Sequence, residues 1–285
     1  MTLQAKDIVF TRHDGRRGVA WLAESYAMLS KHRVPWLSLV VAYYLALAIV
    51  ETLPWIGVYL APIIKPLMSV AFLAAAWNQE RGGQPQFRML MQGFRANVWT
   101  LLPLGVVLVA GISLAVASTS LIDGGRLLEL LYGAGPVDAD PAAAAQRLHA
   151  TLSEPRVQLG MLFGAICALP TILAMWWAPA LVVFQDARLP TALAASLRAA
   201  IANWRPLLRY AMVVFLLGGV VPSLVTSVIA LVVPSPFSAT VAMALLLPYL
   251  ALFVTTLHIS DYVSYRDVFH AGETLAPTEP ASGPG

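Results

Sequence analysis

The sequence predicts an all-α, polytopic membrane bundle: six transmembrane helices set as three hairpins, each hairpin preceded by an amphipathic interfacial helix. Three observations carry this. Of 285 residues, 59% are hydrophobic and 12% charged, where soluble domains carry roughly 45–50% apolar and about 25% charged residues. Six apolar runs are each long enough for a hydrocarbon core of about 30 Å, which takes about 20 helical residues. Lys and Arg cluster in alternate connections between those runs, as a membrane protein records its orientation.

The runs fall near 35–53, 56–77, 99–119, 157–182, 207–233 and 238–261 of a single membrane domain, 1–270. The first strongly apolar run begins near Val34, after a polar stretch. That start is too late for the apolar part of a secretory signal, so the first span is expected to be a retained anchor. Lys65 and the pair Pro170 and Pro179 make the second and fourth runs the least clean.

Before the first span lie Lys6, Arg12, Arg16, Arg17, Lys31 and Arg33. The second and fourth connections add Arg81, Arg88, Arg95, Arg188, Arg198 and Arg205, with Arg209 just inside the next span, and Arg266 follows the last span. The opposite side has Arg126, Arg147 and Arg156 beside five carboxylates. Both termini are therefore expected in the cytoplasm. Trp36, Trp55, Trp77, Trp99 and Trp204 sit at span ends, where amphipathic rings favour the headgroup level. Trp176 and Trp177 lie deeper and are expected to pack between helices.

The outer loop, 120–156, contains Leu127, Leu128, Leu130 and Leu131, a short amphipathic pattern. Asp140-Pro141 then reads as an N-cap followed by a first helical residue whose missing N–H costs nothing. The tail 271–285 is rich in Pro, Gly, Thr and Glu and reads as disordered.

One unit recurs three times along the chain. Val19, Leu22, Tyr26 and Leu29 follow the spacing of one helical face, as do Phe87, Leu90, Met91 and Phe94, and Leu193, Leu197 and Ile201. Phe94-Arg95-Ala96-Asn97-Val98-Trp99 matches Ile201-Ala202-Asn203-Trp204-Arg205-Pro206 in placing Arg, Asn and Trp ahead of a span. Asn97 and Asn203 are expected to cap or hydrogen-bond at the interface. Each inward span holds a proline, Pro66, Pro179 or Pro248. All three units point the same way, unlike the inverted repeats of many secondary transporters.

This order, with the closing Ser264-Tyr265-Arg266-Asp267-Val268-Phe269, resembles a family of proteobacterial multi-pass inner-membrane proteins that has no established activity. It is more distantly similar to the membrane domain of some glycerophosphoryl diester phosphodiesterases. The resemblance implies a bacterial inner membrane and the hairpin architecture. The phosphodiesterase catalytic domain has no counterpart in the sequence.

Two groups stand out as candidate sites. Lys65, flanked by Pro62 and Pro66, lies inside the second span, and Glu51 at the end of the first span is its candidate partner if the second span breaks there. A lysine at mid-bilayer costs roughly 2.5–3.5 kcal/mol on insertion scales, so it either contacts a substrate, ion or partner or snorkels to the headgroups. His258, Asp261, Tyr262 and Tyr265 share a face at the inner end of the last span. One His and one Asp are too few for a metal signature, and the lone Cys167 makes no disulfide and reads as a small buried residue. No Walker loop, GxSxG or HExxH occurs in the sequence.

The net charge is +3, but there is no basic stripe interleaved with aromatics, so nucleic acid is not an expected partner. The expected partners are membrane lipids and a protein partner or second copy, with no cofactor. The expected function is non-enzymatic organisation through lipid or protein contacts; the alternative is a small-solute or lipid transporter using the Lys65 region.

Overall fold

The computed structural model describes residues 8–95, 98–132 and 141–271. Asn97, Asp140 and the tail beyond Ala271 lie outside them, so the readings of a cap at Asp140, an interfacial Asn97 and a disordered tail fall outside the described residues. Every regular element among the described residues is helical: α1 (Arg17–Lys31), α2 (Arg33–Glu51) and α3 (Gly57–Glu80); a 3-10 turn (Phe87–Met91) leading into α4 (Gln92–Arg95); α5 (Val98–Ser118), α6 (Ser120–Asp123), α7 (Arg126–Tyr132) and α8 (Pro141–Ser153); α9 (Pro155–Met175), α10 (Ala178–Gln185) and α11 (Leu189–Ala202); then α12 (Trp204–Phe215), a π turn (Leu216–Val220), α13 (Val221–Val232) and α14 (Ser235–Phe269). Six stretches are long and apolar enough to cross a membrane: Arg33–Glu51, Leu60–Glu80, Val98–Asp123, Pro155–Gln185, Trp204–Val232 and Ser235–Phe269.

The central helix is α3, which packs against α2, α4, α5, α10 and α14. Its stretch Leu67 to Ala76 is almost wholly buried. Close approach is made possible by glycine: a Cβ on Gly93 would strike the Leu67 carbonyl, and one on Gly105 the Ile63 carbonyl. Lipid supplies no hydrophobic drive between helices, so small residues that let backbones meet carry such contacts. The same logic joins α9 to α5, where Gly160, Gly164 and Ala168 recur every fourth residue opposite Ala115 and Thr119.

The Thr11 amide donates to the Val268 carbonyl at 2.7 Å, so the first and last described segments meet on one face, here the terminal face. With 35 residues, α14 is about 52 Å long at 1.5 Å per residue. A core of about 30 Å leaves roughly 20 Å of it outside the hydrocarbon. The buried stretch of α14, Thr255 to Val268, lies toward the terminal face and packs on α1 and α3. Its other half is exposed, as is most of Trp204–Val232, with 6% of its apolar window buried.

Several expectations are corrected. Helix α3 runs unbroken through Pro62 and Pro66. The broken span is the fourth, where α9 stops at Met175 and α10 starts at Ala178, with Pro179 in its first turn. Pro179 has no N–H to give the Met175 carbonyl, and it suits the first turn of a helix that starts afresh. The last helix continues beyond the expected span, to Phe269. Trp36 is fully buried rather than interfacial, whereas Trp55, Trp99 and Trp204 are exposed. In α1 the inward stripe is Gly18, Trp21, Leu22, Ser25 and Leu29, leaving Val19 and Tyr26 outside. Cys167 is exposed on the apolar surface.

Candidate functional site

The richest polar assembly lies on the terminal face and is built on the hexapeptide that closes α14. Asp267 is its hub. Its carboxylate accepts from Arg17 Nε at 2.6 Å and Nη2 at 2.9 Å, and from the Trp21 indole at 2.8 Å. The guanidinium fork matches a carboxylate with two parallel bonds, which fixes orientation as well as adding energy. Hydrogen bonding to Asp267 raises the already high pKa of Arg17, so the pair is ionised throughout the ordinary pH range. His13 lies beside the same group, with Nε2 3.1 Å from the Asp267 carbonyl.

The neighbouring side chains are equally committed. Ser264 Oγ accepts the Trp177 indole N–H at 3.1 Å. Tyr265 Oη meets His270 Nε2 at 2.9 Å, and its ring stacks between Phe184 and Phe269. Arg266 pairs with Glu24 at 3.0 Å and with Glu80. Arg17 also reaches Glu24 at 2.8 Å, so two arginines share that carboxylate. Asn203, fully buried, accepts from the His13 amide at 2.9 Å and donates to the Thr11 carbonyl at 3.0 Å. It therefore clamps the N-terminal segment and does not cap α12. Together these bonds fasten the first described segment, α1, α3 and α14 to one another.

The four residues of the last-helix candidate site have different polar partners, while Tyr262 and Tyr265 share the Phe184 ring. His258 stacks on Phe72 at 4.0 Å between centroids, with Tyr44 Oη 3.3 Å from Nε2. Tyr262 donates to Glu80 at 2.8 Å, while Tyr265 belongs to the α10 side. Asp261 lines a cavity of about 30 Å³ with Ser69, Leu73, Trp176, Pro179 and Ala180. Trp176 Nε1 is a buried donor with no hydrogen-bond partner among the described residues. A cavity of this size takes one or two waters, and a water satisfies an indole donor and a carboxylate acceptor at once.

The broken fourth span is repaired by one side chain that the sequence reading overlooked. Ser196 Oγ accepts from the Trp177 amide and donates to the Leu173 carbonyl, each at 3.0 Å. Lys65 and Glu51 are both exposed, and no ion pair joins them among the described residues. Within the described residues no cluster of three or more His, Cys, Asp or Glu is placed to hold a metal ion.

No family model matches the chain, and no solved structure matches it. The chain is similar to a probable inner membrane protein of Burkholderia thailandensis, 27% identical over 175 residues. The match covers 60% of this chain and 62% of that relative's length. Neither comparison extends to the phosphodiesterase membrane domain. The six apolar helices, the outward-facing apolar side chains and this similarity make the chain an integral, all-α polytopic membrane protein.

Proposed function

We propose that the protein is a non-enzymatic organiser of the bacterial inner membrane, acting through lipid or protein contacts, with both termini cytoplasmic. In this reading its six spans form three hairpins. The observation that carries it is the uneven burial of the spans. The fifth has 6% of its apolar window buried and the sixth has none. Phe215, Leu224, Leu231, Phe237 and Met243 thus present a broad outward surface, a feature that marks contact with lipid or a partner. The latch around Asp267 holds the base from which that surface projects. The relative from Burkholderia thailandensis, by its name an inner membrane protein, and the excess of basic residues on the terminal side support the location and orientation.

The test is extraction into native lipid particles followed by mass spectrometry of all that co-purifies. A stoichiometric protein or lipid bound to the exposed spans is the expected result. A protein that retains neither, yet passes a solute across proteoliposomes, overturns it. Reporter fusions at the C-terminus decide the orientation.

A second reading, transport, draws on a specific feature. The fourth span is discontinuous and the fifth carries a π turn, whose Leu217 carbonyl accepts from Tyr249 at 2.6 Å. Discontinuous helices commonly flank transporter sites, and π turns often mark functional positions. Solute flux that depends on Lys65 or Asp261 would favour this reading.

A further inference from the structure

Between α3, α4 and α10 lies an open cavity of about 460 Å³, with Trp77, Asn78, Arg88, Gln92, Arg95 and Phe184 among its walls. No carboxylate lines it. Arg88 from the 3-10 turn and Gln92 and Arg95 from α4 line it together. Neither arginine has an ion-pair partner among the described residues. Glu80, a short way along α3, is already taken by Arg266 and Tyr262. Trp77 in the wall is itself covered by the Arg81 guanidinium, 4.0 Å from its ring centre.

The other side of the same segment is apolar and turned outward. Phe87, Met91 and Phe94 are 62%, 52% and 40% exposed, and Trp99 beyond them is 89% exposed. Arg88, Gln92 and Arg95 are exposed as well, so the segment shows apolar rings and cations together, with the arginines and Gln92 lining the recess, an arrangement suited to the boundary where lipid headgroups meet acyl chains. The walls are fixed: Asn78 Nδ2 donates to the Gln84 carbonyl at 2.9 Å, and Gly93 holds α4 against α3.

We propose that this cavity binds the phosphate of an anionic phospholipid headgroup, with Arg88 and Arg95 donating to its oxygens and the acyl chains lying over Phe87, Met91, Phe94 and Trp99. Guanidinium groups match phosphate oxygens in paired bonds, and basic recesses between membrane helices are natural headgroup sites. The inference rests on the lipid-contact reading above and names the class of lipid.

The test is native mass spectrometry of the full chain in neutral detergent, titrated with phosphatidylglycerol or phosphatidylcholine. Wild type is expected to prefer one phosphatidylglycerol by about tenfold or more, the scale set by two arginines near an anionic headgroup. Arg88→Gln combined with Arg95→Gln is expected to abolish the preference, and a preserved preference overturns the proposal. Inorganic phosphate that displaces phosphatidylglycerol as well as a short-chain phosphatidylglycerol does would assign the cavity to free phosphate and overturn the lipid assignment. Should the double variant not fold, wild type is crosslinked with phosphatidylglycerol bearing a photoreactive headgroup. Adducts within 77–95 and 183–184 support the site, and adducts confined elsewhere refute it. Phosphatidylglycerol held at another place defeats this inference alone, whereas a wild type that retains neither lipid removes the lipid-contact reading as well.

Discussion

Replacing Asp267 with Asn keeps the shape of the latch and changes its chemistry. The carboxylate accepts three bonds, two from Arg17 and one from Trp21. An amide offers one acceptor oxygen and turns an NH2 group toward a donor, so the Arg17 fork or the indole loses its partner. Trp21 is fully buried, and an unsatisfied buried donor costs about 1–3 kcal/mol. The Arg17 side chain is 32% exposed, so solvent screening limits the loss of that pair to about 1 kcal/mol. Asp267→Asn is therefore expected to cost about 1–3 kcal/mol, according to which of the two partners the amide gives up. Arg17→Ala leaves the indole bond in place and is expected to cost about 1 kcal/mol. Thermal unfolding in a fixed detergent, followed by tryptophan fluorescence, ranks the two variants and their combination. The pair should be non-additive, because they share one carboxylate. The reasoning fails if Arg17→Ala is more damaging than Asp267→Asn, or if the double variant equals the sum of the singles.

Four further outcomes are expected in the same assay. Ser196→Ala strips the partner from both the Trp177 amide and the Leu173 carbonyl, with an expected loss of about 2–4 kcal/mol at one to three per orphaned group, less whatever water recovers. Trp177→Phe breaks the bond to Ser264 within the core and should cost about 1–2 kcal/mol. Trp176→Phe removes a donor that has no hydrogen-bond partner among the described residues; a change near zero is expected if the small cavity is dry, and about 1 kcal/mol if a water bridges it to Asp261. Lys65→Leu should leave stability unchanged or raised, since the exposed ammonium has no described partner; a fall of more than about 1 kcal/mol would reveal a contact beyond surface strength.

The number of spans was legible because lipid imposes a composition that few soluble segments share. Span ends were not, and Asp261 shows why. A hydropathy run stops at a carboxylate, but the helix goes on to Phe269 because the layer around it is protein. The inward face of α1 was misjudged for a related reason. Gly18, Trp21 and Ser25 face the interior while Val19 and Tyr26 face out, and in lipid an apolar side chain has no need to turn inward. The spacing of His258, Asp261, Tyr262 and Tyr265 correctly implies neighbouring positions on a helix. It says nothing about which helices they meet: His258, Asp261 and Tyr262 reach α3 at different levels, and Tyr262 and Tyr265 both lie against Phe184 of α10. The final hexapeptide was visible as a motif, but its partners Arg17 and Trp21 lie 250 and 246 residues earlier. The cavity arginines were legible only as orientation charges, since periodicity picked out the apolar side of the same segment.

The division between a bonded base and an open upper half follows from the solvent. In hydrocarbon, apolar side chains gain little by leaving lipid for a neighbouring helix, so small residues and polar bonds must specify which helices meet. Here the polar bonds with long sequence separation gather near the terminal face: Arg17 and Trp21 to Asp267, Trp36 to Gln79, Tyr262 to Glu80, Tyr210 to Ser260. Toward the other face, α13 and the first half of α14 share mainly apolar surface, with Tyr249 to Leu217 as the long-range bond among the described residues. The base therefore holds one arrangement whatever surrounds it, while the spacing of the outer helices is set by what fills the gaps. This gives the exposed surface its consequence: a change in lipid or partner should move α13 and the start of α14 without disturbing the Asp267 latch. Hydrogen exchange in two lipid compositions would show it as altered protection in 221–250 against constant protection in 255–268. Equal changes in both segments would mean that the two halves move as one body.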